Sequence, residues 1–227
     1  MKIIALPDLH DNVSSLSRIG HALSEVDLVL LAGDLTNGGA ISTVRKVIRT
    51  VQMFNPSILA IPGNWDGPEV ANYLSQNEIN LDRRHIIINH LAFIGIGSSL
   101  PCLIQSPNEF AEEDFERFFG EAITGLGPEI PKILVCHQPP YQTQNDLAQG
   151  SLHVGSKTVR RFIEREQPLI CFTGHIHEGV GIDHIGETQL INPGPLWQGQ
   201  YAYTEVTFQG IQTLEIRTIR SSRNRIP

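Results

Sequence analysis

Five apolar runs in this chain each end in a residue of metal-binding type, and that recurrence limits the fold more than any other feature. Lys2 to Pro7 leads to Asp8 and His10, Leu28 to Ala32 leads to Asp34, and Ile58 to Pro62 leads to Asn64. Ile133 to Cys136 leads to His137, and Leu169 to Thr173 leads to His175 and His177. Short apolar runs bounded by turn signals read as buried strands. In open sheets with parallel strands the ligand crevice lies beyond the carboxyl ends, where all five clusters fall. One crevice would therefore collect them, and the pattern points to a dinuclear metal site.

Residues two apart on an extended chain project to the same side, so Asp8 with His10, and His175 with His177, are expected to face one cavity. Neither pair suits a helix, whose face-sharing neighbours lie three or four apart. Each motif alone is short. Gly-His-x-His at Gly174 to His177 is the rarest, and the joint occurrence of all of them at strand ends carries the argument.

Helical patterns alternate with these strands over Asn12 to Ser24, Ile41 to Phe54 and Glu69 to Gln76. Two apolar runs flank Asn89-His90 and predict a hairpin where a second sheet begins. Pro101 to Asn108 reads as a loop, Glu109 to Ala122 and Ser156 to Glu166 as helices, and Gln142 to Gly155 as a long polar segment able to cover the crevice. A terminal hairpin is expected from Tyr201 to Phe208 and Ile211 to Ile219, followed by a frayed basic end at Ser221 to Pro227. The whole span 1–227 reads as one domain.

The net charge of −7 disfavours long nucleic acids and anionic membranes as partners and leaves small phosphate esters as substrates. Cys102, Cys136 and Cys171 are too scattered for a disulfide framework, so a reducing cytoplasm fits. A strand that already delivers Asp8 leaves no room for a cleavable signal, and no apolar run reaches membrane-spanning length. Homo-oligomerisation is left open.

Asp8-Leu9-His10, Gly33-Asp34-Leu35-Thr36-Asn37, Gly63-Asn64-Trp65-Asp66, His137-Gln138-Pro139-Pro140 and Gly174-His175-Ile176-His177 together resemble the calcineurin-like metallophosphoesterase superfamily. Ala32 to Thr36, Thr173 to Glu178 and Ile191-Asn192-Pro193-Gly194 look most like its small Icc-related phosphoesterases. The resemblance implies an α/β four-layer sandwich, two mixed β-sheets packed face to face with helices on both outer sides. It also implies two divalent cations. Asp8, His10 and His177 would hold the first, Asn64, His137 and His175 the second, and Asp34 would bridge both. Oxygen and imidazole donors without thiolate suit Mn foremost, and also Fe, Co, Ni or Zn. A metal-activated hydroxide would then hydrolyse phosphodiesters or phosphomonoesters, with Asp34, Asn64 and His10 as catalytic groups.

One position departs from the pattern: Trp65 stands where the family usually carries a histidine thought to protonate the leaving group. An indole N–H donates a hydrogen bond but is far too weak an acid to hand over a proton. Slow turnover of esters with good leaving groups is therefore expected. Asn64, Trp65 and His153 are the expected substrate contacts, with packing the plainer role for Trp65. Asn12 is expected to cap a helix, Asn37 and Asp66 to hold neighbouring ligands, and Asn192-Pro193-Gly194 to form a tight turn. Two rival readings are a catalytically weak metal-binding module for a nucleotide or protein partner, and a dinuclear hydrolase of amides or thioesters.

Overall fold

The structure, a computed structural model, describes residues 1–219; the basic end at 221–227 lies outside them. Strand β1 (Lys2–Leu6) pairs in parallel with β2 (Leu28–Ala32), and β2 in parallel with β3 (Ile58–Ile61). The terminal hairpin β12 (Gln200–Thr207) and β13 (Gly210–Thr218) joins this sheet antiparallel to β1, giving the order β13-β12-β1-β2-β3. The second sheet is built from β4 (Arg84–Ile88), β5 (Leu91–Ile96), β6 (Lys132–Cys136), β9 (Ile170–Phe172), β10 (Gly181–Ile185) and β11 (Thr188–Asn192), in the order β10-β11-β9-β6-β5-β4.

Strand alternation explains how two sheets stack. Ile4 and Leu6 of β1 face outward with Val29 and Leu31, whereas Ile3 and Ala5 face inward with Leu28 and Leu30. The inner set meets Phe93, Ile133, Val135 and Phe172 of the second sheet, which makes the central core. On the outer face of the first sheet lie α1 (Val13–Arg18), α2 (Gly20–Ser24), α3 (Ile41–Gln52) and α4 (Pro68–Gln76). Helix α3 buries Val44, Val47, Ile48 and Val51, the spacing that puts one apolar stripe on a sheet. Beyond the second sheet, α5 (Glu112–Ala122) and α6 (Lys157–Glu166) pack Phe115, Phe118, Phe119 and Phe162 on Ile94, Leu134 and Cys136. Helix, sheet, sheet and helix form four layers, as the resemblance implies.

Two local expectations change, and two segments carry structure beyond what was expected. The helix expected from Asn12 to Ser24 breaks at Ile19, whose N–H bonds back to Leu16 while its carbonyl starts the next turn at Leu23. Helix α5 begins at Glu112, because the Glu109 carboxylate folds back to accept from the Ser106 N–H and hydroxyl. The hairpin β10–β11 is an addition to the expected elements: β10 is an edge strand that alternates exposed Ile182 and His184 with partly buried Gly181 and Asp183, so it carries no apolar run. The 142–155 segment is ordered around buried Asp146, which accepts from the N–H groups of Gln142, Thr143 and Gly155. It contains a single 3-10 turn at Gln144–Asp146 and the small ladder β7 (Leu147–Ala148) with β8 (Leu152–His153).

Candidate metal centre

The carboxyl ends of β1, β2, β3, β6 and β9 converge on one edge of the sandwich, and pairing continues past them. Asp8 N–H donates to Gly33 O (3.0 Å) and His10 N–H to Asp34 O (2.9 Å), which locks the two ligand loops side by side. The loops are not extended, contrary to the alternation argument: Asp8, His10, Asp34 and His175 have φ of 52°, 43°, 50° and 65°. Such left-handed turns are uncommon for residues with a Cβ and concentrate at functional sites. Here they curl the chain so that side chains from separate strands meet above the sheet ends.

Two groups result. Asp8, His10 and His177 form one, Asp34, His137 and His175 the other, with candidate ligand atoms in each within 4.8 Å of one another. Asp34 touches both groups: its Oδ2 lies 3.3 Å from His137 Nε2 and 3.6 Å from His10 Nε2. Asn64 Oδ1 lies 3.0 Å from His137 Nε2 and completes the second group. His10 and His177 bring their Nε2 atoms to 3.3 Å, beside the Asp8 and Asp34 carboxylates. Imidazole lone pairs and acceptor-only carboxylates crowded in this way fit divalent cations, which can satisfy all of them at once.

Supporting contacts orient the ligands. His137 Nδ1 sits 2.9 Å from Ala32 O, and a carbonyl only accepts, so Nε2 is the atom turned to Asn64 and Asp34. Asn64 Nδ2 donates to Ser106 Oγ (3.0 Å), whose hydroxyl donates to Glu109 Oε1 (2.5 Å), so Oδ1 of Asn64 faces the site. Buried Asp66 accepts from Gly63 N, Leu35 N, Thr36 N and Thr36 Oγ1, which ties the Asp34 loop to the Asn64 loop. Asn37 donates to His10 O, Asn12 caps α1 through Ser15 N, and Asn192 ties Ile176 O to its own turn at Gly194. Close backbone approach explains Gly63: a Cβ there would lie 2.1 Å from Asp34 Oδ1.

Charge follows burial and pairing. Burial works to raise Asp34, but the His137 and His10 rings outweigh it and hold the carboxyl below its ordinary value. Burial opposes charge on His137 too, yet Asp34 lifts it to about 9. Desolvation carries His175 down to about 4, with His137 adding repulsion. Asp66 rises to about 6 through burial and its neighbour Asp34. Pairing thus favours charge on Asp34 and His137 while burial opposes it on His175, and a cation entering the second group would displace any proton on its ligand nitrogens.

Trp65 is half-buried, lines the cleft, and donates its backbone N–H to Asp34 Oδ1 at 2.8 Å. His153 is held 2.7 Å from Asp146 Oδ1 and lies edge-on to Tyr141, while its neighbours Leu152 and Val154 line the cleft of about 650 Å³. Three features escaped the sequence reading. Trp197 packs edge-on to both His10 and His177, with centroids 5.3 Å from each. Cys102 Sγ lies 3.5 Å from His175 Nε2. The Ser106–Glu109 clamp on Asn64 was readable as the Ser-x-x-Glu spacing, a signature of local side-chain-to-backbone capping. Trp197 and Cys102 come from loops with no such signal.

Comparison with known proteins gives the same assignment as the geometry. A family model described as calcineurin-like phosphoesterase matches residues 1–179. The uncharacterized protein MJ1162 of Methanocaldococcus jannaschii is 34% identical over 200 residues, covering 86% of this chain and 88% of that one. The solved structure of TT1561 from Thermus thermophilus superposes with a TM-score of 0.76 at 18% identity, covering 96% and 99% of the two chains. A novel archaeal phosphodiesterase does so with a TM-score of 0.55 at 16% identity, covering 96% and 99%. With its ligand groups set at the strand ends and its family model spanning most of the length, the chain belongs to the calcineurin-like phosphoesterases.

Proposed function

We propose that the protein hydrolyses small phosphodiesters or phosphomonoesters at a two-cation centre, with Trp65 in place of the usual acid. Membership of the family supports a metal-dependent phosphoesterase in general. The observation that carries the finer reading is Asp34, one carboxylate within reach of a histidine from each ligand group. When bound, two cations held by these residues would supply Lewis acidity and lower the pKa of a coordinated water.

The chain's own residues do the rest. Asp34 sits between the two groups and would offset part of the mutual repulsion of cations held there. Asn64, turned by Ser106, presents its amide at the rim of the second group, and His10 faces the first. Trp65 contributes its backbone N–H to Asp34 and no proton to a leaving group. General acid help is worth roughly 2.7 to 5.5 kcal/mol, so its loss makes a slow enzyme selective for leaving groups that depart unprotonated. The net charge of −7 and the small cleft support a small ester, not a long nucleic acid or a membrane surface. Manganese is the first cation to try, and a cytoplasmic setting agrees with the three free cysteines.

The test is direct. Metal-stripped protein given Mn²⁺ should release nitrophenol from mono- and bis-nitrophenyl phosphate, and EDTA should stop it. Bound Mn²⁺ with silence on every ester, cyclic nucleotides included, would replace this reading with the second one, a metal-binding module. Trp65 and exposed Trp197, both lining the wall beside His10 and His177, are what would favour that alternative.

A further inference from the structure

Facing the metal ligands across the cleft is an apolar wall that the core does not account for. Leu103 is 100% exposed, Ile104 72% and Leu152 55%, yet all three line the same cavity as His10, Asp34, Asn64, His175 and His177. Apolar side chains left in water forgo the transfer free energy that burial would return, and when clustered in a cleft they mark where something apolar sits.

Two separate loops supply this wall, and one buried side chain fixes their spacing. Gln138, directly after the ligand His137, accepts from Leu100 N–H (2.9 Å) and donates to Val154 O (3.1 Å). The residue is 1% exposed. Each end of its amide is thus bonded to backbone, one on each loop, which ties the loop carrying Leu103–Ile104 to the loop carrying Leu152–Val154 at the rim of one cavity. The side chains of Leu103, Ile104 and Leu152 offer a polar substituent no hydrogen-bond partner, whereas an alkyl chain asks for none; Gln149 and Glu178 line the same cavity.

We propose that the cleft takes a phosphate ester carrying an unbranched apolar chain, with the phosphate at the metal ligands and the chain between Leu103–Ile104 and Leu152–Val154. This rests on the phosphoesterase reading for the phosphate end, and the apolar arm can be tested without turnover.

Calorimetric titration of Mn²⁺-loaded protein with methyl-, butyl- and octylphosphonate reads the arm alone. Each buried methylene strengthens binding about three- to fourfold, so butylphosphonate should bind on the order of 30-fold more tightly than methylphosphonate. The double variant Leu103→Ser with Ile104→Ser changes side chains outside the core, so it should fold as before, keep its methylphosphonate affinity, and lose most of the gain with chain length. Phe208→Ser removes an equally exposed apolar group near the amino-terminal end of β1, where Met1 meets Val206, and should alter nothing. Equal affinities across the three phosphonates would overturn the proposal. So would a dimer that dissolves in the double variant while octylphosphonate fails to compete with it. Retained chain-length dependence with no hydrolysis of any ester would instead overturn the phosphoesterase reading and leave the apolar arm standing.

Discussion

Trp65 shows how one position divides between backbone and side chain. Its N–H serves Asp34 whatever the side chain is, so Trp65→His should keep the bridge intact while adding an imidazole that titrates near neutrality. The expected outcome is a rise of about tenfold or more in kcat/KM on alkyl phosphates and little change on nitrophenyl esters; equal rates on both would count against the missing-acid account. Asp34→Asn removes the shared carboxylate, and elemental analysis should find both cations depleted, not one. Ser106 acts through Asn64. Ser106→Ala frees the amide and should cost roughly tenfold in kcat/KM with small change in stability.

At the scale of elements, the outer helices are joined by a carboxylate. Glu112, at the start of α5, accepts from Ser156 Oγ (2.6 Å), Lys157 N (2.8 Å) and Thr158 N (3.0 Å), so one helix caps the next. Burial works against the charge, but these donors hold Glu112 below its ordinary value of 4.5. A depressed carboxylate contributes stability above its unfolded value and loses it as pH falls through the folded one. Glu112→Gln should therefore lower stability by about 1 kcal/mol at neutral pH, and the gap to wild type should close in acid. Urea midpoints at pH 7 and pH 3 measure it; a gap that widens in acid would refute the sign. The helices and the β4–β5 hairpin were legible because they rest on periodicity and on Asn-His turn chemistry. The break at Ile19 and the edge strand β10 were not, because the first depends on hydrogen bonds to neighbours and the second carries no apolar repeat.

Across the whole molecule, three apolar layers hold the scaffold while the metal centre gathers acceptors at its edge. Ligands that bind the native state alone stabilise it, by about 2.7 kcal/mol per site at a hundredfold excess over Kd. For a chain of this size, Mn²⁺ should raise Tm by on the order of 10 °C, and Asp34→Asn should abolish most of that rise in calorimetry. Among the described residues no helix is long and apolar enough to cross a membrane.

The sequence by itself determined the identity of the five strands that lead to the ligand residues, because apolar runs must be buried and chain polarity sets the ligand residues after each run at one edge. Tertiary structure decided which ligand side chains lie together, how left-handed turns bring them there, and which side chains hold them. It also placed Trp197 and Cys102 beside the ligand histidines and an apolar wall opposite. Those are relations between segments far apart in the chain, and no local pattern encodes a distance across a sandwich of two sheets.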